Sequence, residues 1–482
     1  MRSAPTSAAV FPFLLALLVA AGCVACTPSQ TAHGSSRSLT GSLGGPSYLI
    51  QVPEPWNSVL LLYTHGGGAL TQNAPAENTI DPVTAGYFLQ HGYALAGSSF
   101  RSSGWFVEDA LADDLALLGE FRRLVGRPAR TIAWGVSLGS MVTVGLAERD
   151  PDRIDGALAL CGIVAGAVPF WNQNLDAAFA FKVLFAENDP QIEITGSRPS
   201  AGAGERARSL LEMAKATAIG RARTALVAAL REIPVEGFLG TVGPGGSPLS
   251  LQPGVNREDL RAASLGDLVA GALGDYLVNH PALEIRAGGN PSSNVGIDYG
   301  RLLAASPDYA VLKGLYAAAG VSIDDDVARL QRAPRITADP SATAYVSRFL
   351  TFTGDLHVPV VTLHTLADES TPVQLEEEYR AKVGGAGRSA WLRQLFVNRA
   401  AHCNFTTAEI AVAVEVLRAR ADNGKWGAAD NLAALNSRSA RFDARYWVPI
   451  RAHQVGGPAP HSYPSFVTSE SIGLLRDAAR QP

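Results

Sequence analysis

Apolar positions along this chain follow two rhythms. Short runs such as "SYLIQVP", "SVLLLYT", "GYALAGSSF", "RTIAWG" and "IDGALALCG" have the length and aliphatic content of strands, and the second is apolar enough to be buried on both faces of a sheet. Between them, "VEDALADDLALLGEFRRLVG" from Val107 places Ala and Leu at helical spacing and stops at Gly126, and "LGSMVTVGLAERD" repeats that period. Strand alternating with helix predicts right-handed crossovers. The expected fold class is therefore α/β, with a mostly parallel, doubly wound sheet.

The alternation stops near Phe170. From there to about Pro340 the helical runs "ERARSLLEMAKATAIGRARTALVAALREIP", "REDLRAASLGDLVAGAL" and "DYGRLLAASPDYAVLKGLYAAAG" are separated by Gly/Pro-rich loops such as "GTVGPGGSPLSLQPG". This predicts a mainly helical insertion over residues 171–339. The strand rhythm resumes in "HVPVVTLHT" and "WLRQLFVN", followed by the helix "TTAEIAVAVEVLRARADNG". A core built from residues 46–170 and 340–445 follows, with 446–482 as a C-terminal tail. No internal repeat of fixed period occurs.

Composition narrows the class. At 482 residues the chain is long for a single core, which suits one large domain carrying an insertion, or two domains. Charged residues are 17% against 47% apolar, yet no internal run is long and apolar enough to span a bilayer. The net charge is −4, without a Lys/Arg stripe interleaved with aromatics, so no nucleic-acid partner is expected. Arg2 followed by "FPFLLALLVAAG" matches an export signal over residues 1–26. Cys23 and Cys26 follow small residues, as a lipidation site requires, but neither has the usual leucine three positions earlier. A secreted form and a form lipid-anchored to the outer face of a membrane both stay open. Residues 27–45, Ser/Thr/Gly-rich, read as a flexible linker.

The chemistry concentrates in four places. "GVSLG", Gly135 to Gly139, fits G-x-S-x-G, a turn tight enough to need glycines, with Ser137 at its apex between a predicted strand and helix. A serine hydroxyl needs an imidazole to take its proton, and the imidazole needs a carboxylate to orient it. Asp368 stands in "VTLHTLADESTPV" after an apolar strand, with Glu369 next to it as the alternative acid. His402 stands in "VNRAAHCNFTTAEI", before a helix whose Thr406 and Glu409 suit a capping box. His364, His453 and His461 compete for the base; the first lies within a strand, and the other two in a Pro/Gly-rich tail. Oxyanion donors are available from Gly67 and Gly68 in "YTHGGGA" and from the Leu138 amide. Trp134, directly before the elbow, would need a partner for its indole N–H if buried. "SIDDDVARL" reads as a helix start capped by Ser322 and not as a cation site.

The order "HGGG", "GVSLG", "ADES", "AHCNF", each after a predicted strand, resembles the α/β-hydrolase superfamily over roughly Pro46 to Phe170 and Pro340 to Trp426, and more narrowly exported bacterial esterases. The resemblance implies a helical cap or lid between the sixth and seventh strands. It also implies Ser137 as nucleophile, His402 as base and then acid, Asp368 as orienting carboxylate, and Gly67, Gly68 and Leu138 as oxyanion donors. In that fold Cys161 and Cys403 fall near each other, so a disulfide is expected; two free thiols are the alternative. The expected activity is hydrolysis of a small or oligomeric carboxylic ester through an acyl-enzyme, without metal or organic cofactor. A serine peptidase of aminopeptidase type, or a surface binding protein that has lost the chemistry, are the alternatives. Oligomeric state has no signature in the sequence.

Overall fold

The computed structural model describes residues 36–67, 75–105, 107–198, 201–233, 257–427, 431–450 and 466–467. The expected signal segment with Cys23 and Cys26, Gly68, and the competitors His453 and His461 lie outside the described residues.

The strands are β1 (Ser36–Ser42), β2 (Ser47–Pro53), β3 (Val59–Thr64), β4 (Ala94–Ser98), β5 (Arg130–Val136), β6 (Gly156–Leu160), β7 (Val360–Ala367), β8 (Leu392–Ala400) and β9 (Phe466–Val467). They form one sheet in the order β1-β2-β4-β3-β5-β6-β7-β8-β9. From β4 through β8 neighbours run parallel, while β1 and β2 at one edge and β9 at the other pair antiparallel. Every residue of β3 is buried, because helices cover both faces of the sheet. The chain order crosses between β3 and β5. Crevices at the carboxyl ends of strands around such a switch point are where open α/β sheets bind ligands.

The helices before the insertion are α1 (Pro82–Gln90), α2 (Val107–Leu124) and α3 (Leu138–Arg149). The insertion between β6 and β7 contains α4 (Ala167–Phe185), α5 (Ala203–Lys215), α6 (Ala218–Leu230), α7 (Arg257–Ala287), α8 (Tyr299–Ala304), α9 (Tyr309–Ala318), α10 (Ile323–Arg332) and α11 (Pro340–Phe349). After it come α12 (Gln374–Gly385), α13 (Thr407–Asn423) and α14 (Leu432–Ser439). Ser322 caps α10 by accepting from the Asp324 amide, as its sequence suggests. The capping box of Thr406 and Glu409 opens α13.

Three expected boundaries shift. Regular structure is present before Pro46, because residues 36–42 of the expected linker form β1 in full register with β2. Six of its seven residues are exposed, so an edge strand held by backbone hydrogen bonds leaves no apolar trace. The cap resumes the core at Val360 and not at 340, since α11 packs on α4 and α7. Finally, the C-terminal tail is partly structured: Ile450 is buried and Phe466 and Val467 pair with β8.

Candidate active site

The elbow is built by collision avoidance. Ser137 sits between β5 and α3 with φ 53° and ψ −123°, a conformation that costs a side-chain-bearing residue on the order of 1–3 kcal/mol. A Cβ on Gly135 would come 1.8 Å from Thr64 Oγ1, and one on Gly139 would come 2.1 Å from the Thr64 carbonyl oxygen. The glycines of the motif are thus required by the approach of β3. The strained turn is pinned by the Ser137 amide donating to the Leu160 carbonyl and by Ser140 Oγ donating to the Ser137 carbonyl, while Thr64 Oγ1 donates to the Gly139 carbonyl. Ser140 and Thr64 carry no motif signal in the sequence, and only the packing reveals them.

His402 lies in the turn after β8, flanked by Ala401 and Cys403 at positive φ. Its Nδ1 stands 2.8 Å from Asp368 Oδ2 and 2.9 Å from Oδ1. Asp368 is 1% exposed and also accepts from the Ser370 and Thr371 amides. Burial pushes the Asp368 carboxyl up, but the adjacent His402, His364 and the Thr371 amide outweigh it and hold the group below the usual carboxylate range. Asp368, and not Glu369, is the carboxylate that meets the His402 ring nitrogen.

His364 supports this acid from below. It is fully buried, with Nδ1 3.1 Å from Glu376 Oε1 and Nε2 2.9 Å from the Thr371 carbonyl. Both ring nitrogens face acceptors, which suits an imidazolium. Burial pushes this imidazole down, yet the Glu376 and Asp368 carboxylates outweigh it and raise it above its ordinary value.

Ser137, Leu138, Gly67 and His402 line one cavity of about 530 Å³, together with Phe170, Trp171 and Tyr276 from the insertion. A Cβ on Gly66 would meet the Ser137 Cβ at 3.2 Å, and one on Gly67 would meet Leu138 Cδ2 at 3.4 Å, so the "HGG" backbone abuts the elbow. Gly66, passed over in the sequence, approaches Ser137 most closely of the two. Trp134 is fully buried against the Tyr63 and Phe88 rings, and its indole nitrogen has no hydrogen-bond partner among the described residues.

The sulfurs of Cys161 and Cys403 lie at bonding distance, 1.96 Å, across a sequence separation of 242. With His402 they gather three ligand-type atoms within 4.8 Å of one another. Two sulfurs bonded to each other are not thiolates, which disqualifies the group as a metal centre in this form. A second serine–histidine–carboxylate row exists in the cap: Ser292 Oγ is 2.9 Å from His280 Nε2, whose Nδ1 is 3.1 Å from Glu284 Oε1. All three are buried, and none is among the residues that line the cavity holding Ser137.

A search of family models finds no match for this chain. An o-phthalyl amidase from Xanthobacter agilis is 30% identical over 460 residues, covering 86% of this chain and 96% of the relative. Among solved structures, feruloyl esterase B from Aspergillus oryzae is similar at 13% identity and TM-score 0.40, covering 81% of each chain. Brefeldin A esterase, a bacterial homologue of human hormone-sensitive lipase, is similar at 14% identity and TM-score 0.35, covering 87% of this chain and 79% of that one. By its strand order, its elbow between β5 and α3, and its likeness along nearly the whole length of the amidase, the chain belongs to the α/β-hydrolase superfamily, in the family of that relative.

Proposed function

We propose that the protein is an exported serine hydrolase that cleaves carboxylic esters through an acyl-enzyme. The observation that carries this reading is the row of Ser137 on its strained elbow, His402 in the same cavity, and buried Asp368 on the far ring nitrogen of His402. Ser137 Oγ attacks the acyl carbon as His402 Nε2 takes its proton, and Asp368 stabilises the imidazolium that forms. The oxygen of the tetrahedral intermediate collects its charge against the amides of Leu138 and of the Gly67–Gly68 loop. His402 then returns the proton to the leaving group, and water repeats the sequence on the acyl-enzyme. Export is supported by the sequence of residues 1–26, and an oxidising compartment would keep the Cys161–Cys403 link closed behind the base.

Amides are the second reading, favoured by the 30% identical relative named for amides of the o-phthalyl group. The same row of residues serves both bond types. Purified mature protein should hydrolyse p-nitrophenyl esters, and Ser137→Ala and His402→Ala should each lower kcat by at least about a thousandfold while leaving the melting temperature near that of wild type. Retention of full activity by the serine variant would remove Ser137 from the mechanism. Parallel assays on anilides decide between the two bond types.

A further inference from the structure

Cys403 directly follows His402, and Cys161 directly follows β6, the strand beside β7. Their Cα atoms are 5.2 Å apart, and Cys403 Sγ lies 3.4 Å from His402 Nε2, the ring nitrogen opposite the one that meets Asp368. That separation is close to the edge of a tetrahedral zinc site, where a sulfur at about 2.3 Å and a nitrogen at about 2.0 Å from the ion stand about 3.5 Å apart. The other ring nitrogen, Nδ1, already meets the buried Asp368 carboxylate at 2.8 Å. Zinc-bound histidines are oriented by a carboxylate contact of this kind, so the His402–Asp368 pair has the arrangement that a zinc ligand needs. Cys161 is fully buried, whereas the His402 side chain is 13% exposed and lines the cavity, which gives an ion its way in.

We infer that the dithiol form of this protein binds Zn²⁺ through Cys161 Sγ, Cys403 Sγ and His402 Nε2, and that the ion silences hydrolysis by occupying the nitrogen that has to take the Ser137 proton. The silencing rests on the acyl-enzyme reading above; the ligand set does not. Reaching that form takes two electrons. A dithiol reductant exchanges with the Cys161–Cys403 bond, so that its own two sulfurs become a disulfide while the two protein sulfurs become thiols. Zinc then displaces both thiol protons into solvent, and side-chain rotation parts the sulfurs to the roughly 3.8 Å that two thiolates on one tetrahedral ion require. Thiolate and imidazole donors favour zinc over magnesium or calcium, which take oxygen ligands. Three protein ligands leave the fourth position to water. Sulfurs that are joined to each other offer no thiolate, so the oxidised protein has only the imidazole to give, and redox state decides whether the metal holds the base.

The alternative is that the two sulfurs only brace the His402 turn, and the test separates the two. Wild type is compared in oxidised form and after reduction with dithiothreitol, which is then removed by gel filtration under nitrogen. Titration with Co²⁺, a spectroscopic stand-in for zinc, should give the reduced protein a thiolate-to-cobalt charge-transfer band that saturates at one ion per chain, and should give the oxidised protein none. Cys161→Ser and Cys403→Ser, each short of one ligand, should bind cobalt at least about a hundredfold more weakly. Zinc should inhibit p-nitrophenyl ester hydrolysis by the reduced protein at a concentration at least about a hundredfold below that needed for the oxidised one, and a chelator should restore the rate. Absence of the band from reduced wild type, a band that both serine variants keep unchanged, or equal zinc sensitivity of the two forms overturns the inference. Reduced protein that stays inactive with chelator present gives the sulfurs the bracing role and overturns the silencing. Cobalt bound by the reduced chain, with esters untouched by every form, leaves the metal site standing and fails the hydrolase reading alone; Ser137-dependent ester cleavage with no cobalt band fails the inference alone.

Discussion

Asp114, on the inner face of α2, has both carboxylate oxygens buried without a hydrogen-bond partner among the described residues. Its neighbour Asp113 is satisfied by Arg101, whose backbone and side-chain nitrogens both donate to it. Burial first, and the Asp113 charge second, push the Asp114 carboxyl well above its ordinary value. The folded protein therefore retains a proton that the unfolded chain has lost. Stability from this group is greatest below the ordinary carboxylate value and declines as pH climbs towards the folded one. Asp114→Leu, close in shape and free of buried polar atoms, should stabilise the fold by about 1–3 kcal/mol at pH 8 and flatten the dependence of melting temperature on pH. Equal melting temperatures for the two proteins at pH 8 would refute this. Nothing in "ALADDLALL" distinguishes the two aspartates, since the Arg101 that satisfies Asp113 alone lies outside that stretch.

Among the elements, the connection from β8 to α13 governs where His402 stands. Glu409 closes the capping box by accepting from the Thr406 amide, and it also receives Arg399 in a two-pronged ion pair with side-chain exposures of 8% and 0%. Arg399 in turn donates to the Asn404 carbonyl, spanning the turn that presents the histidine. Glu409→Gln leaves that guanidinium buried beside a neutral group and should cost about 3–5 kcal/mol of stability, read from urea unfolding; a loss below about 1 kcal/mol would show that the pair is dispensable. The capping box is legible in the sequence because its spacing is local, and so are the elbow and its flanking strand and helix. Non-local features are not: "ERARSLLEMAKATAIGRARTALVAALREIP" reads as one helix, but Thr217 caps α6 and divides the run into α5 and α6. The expected core also ran to residue 170, while α4 already starts at Ala167. For the site, the residues brought together as Ser137, His402 and Asp368 stand out because each follows a strand.

On the scale of the whole molecule, the cap is continuous with the core. One apolar cluster runs from Leu60, Leu62 and Met141 beneath the sheet through Phe170 and Phe181 of α4 to Leu226 of α6 and Leu330 of α10, while a second covers the opposite face with α1 and α13. The cap shares its apolar interior with the sheet, so scanning calorimetry should give a single cooperative transition; two peaks separated by 10 °C or more would mean that the cap is an independent unit. No helix of the described residues is long and apolar enough to cross a membrane. The span between Cys161 and Cys403, 242 positions apart, takes in the entire cap. With that link made, a protease that nicks a cap loop leaves two pieces, one carrying Ser137 and the other Asp368 and His402, that cannot drift apart. Such a clipped molecule would migrate as one species on a gel without reductant, split into two with it, and keep its hydrolytic competence until the sulfurs are parted.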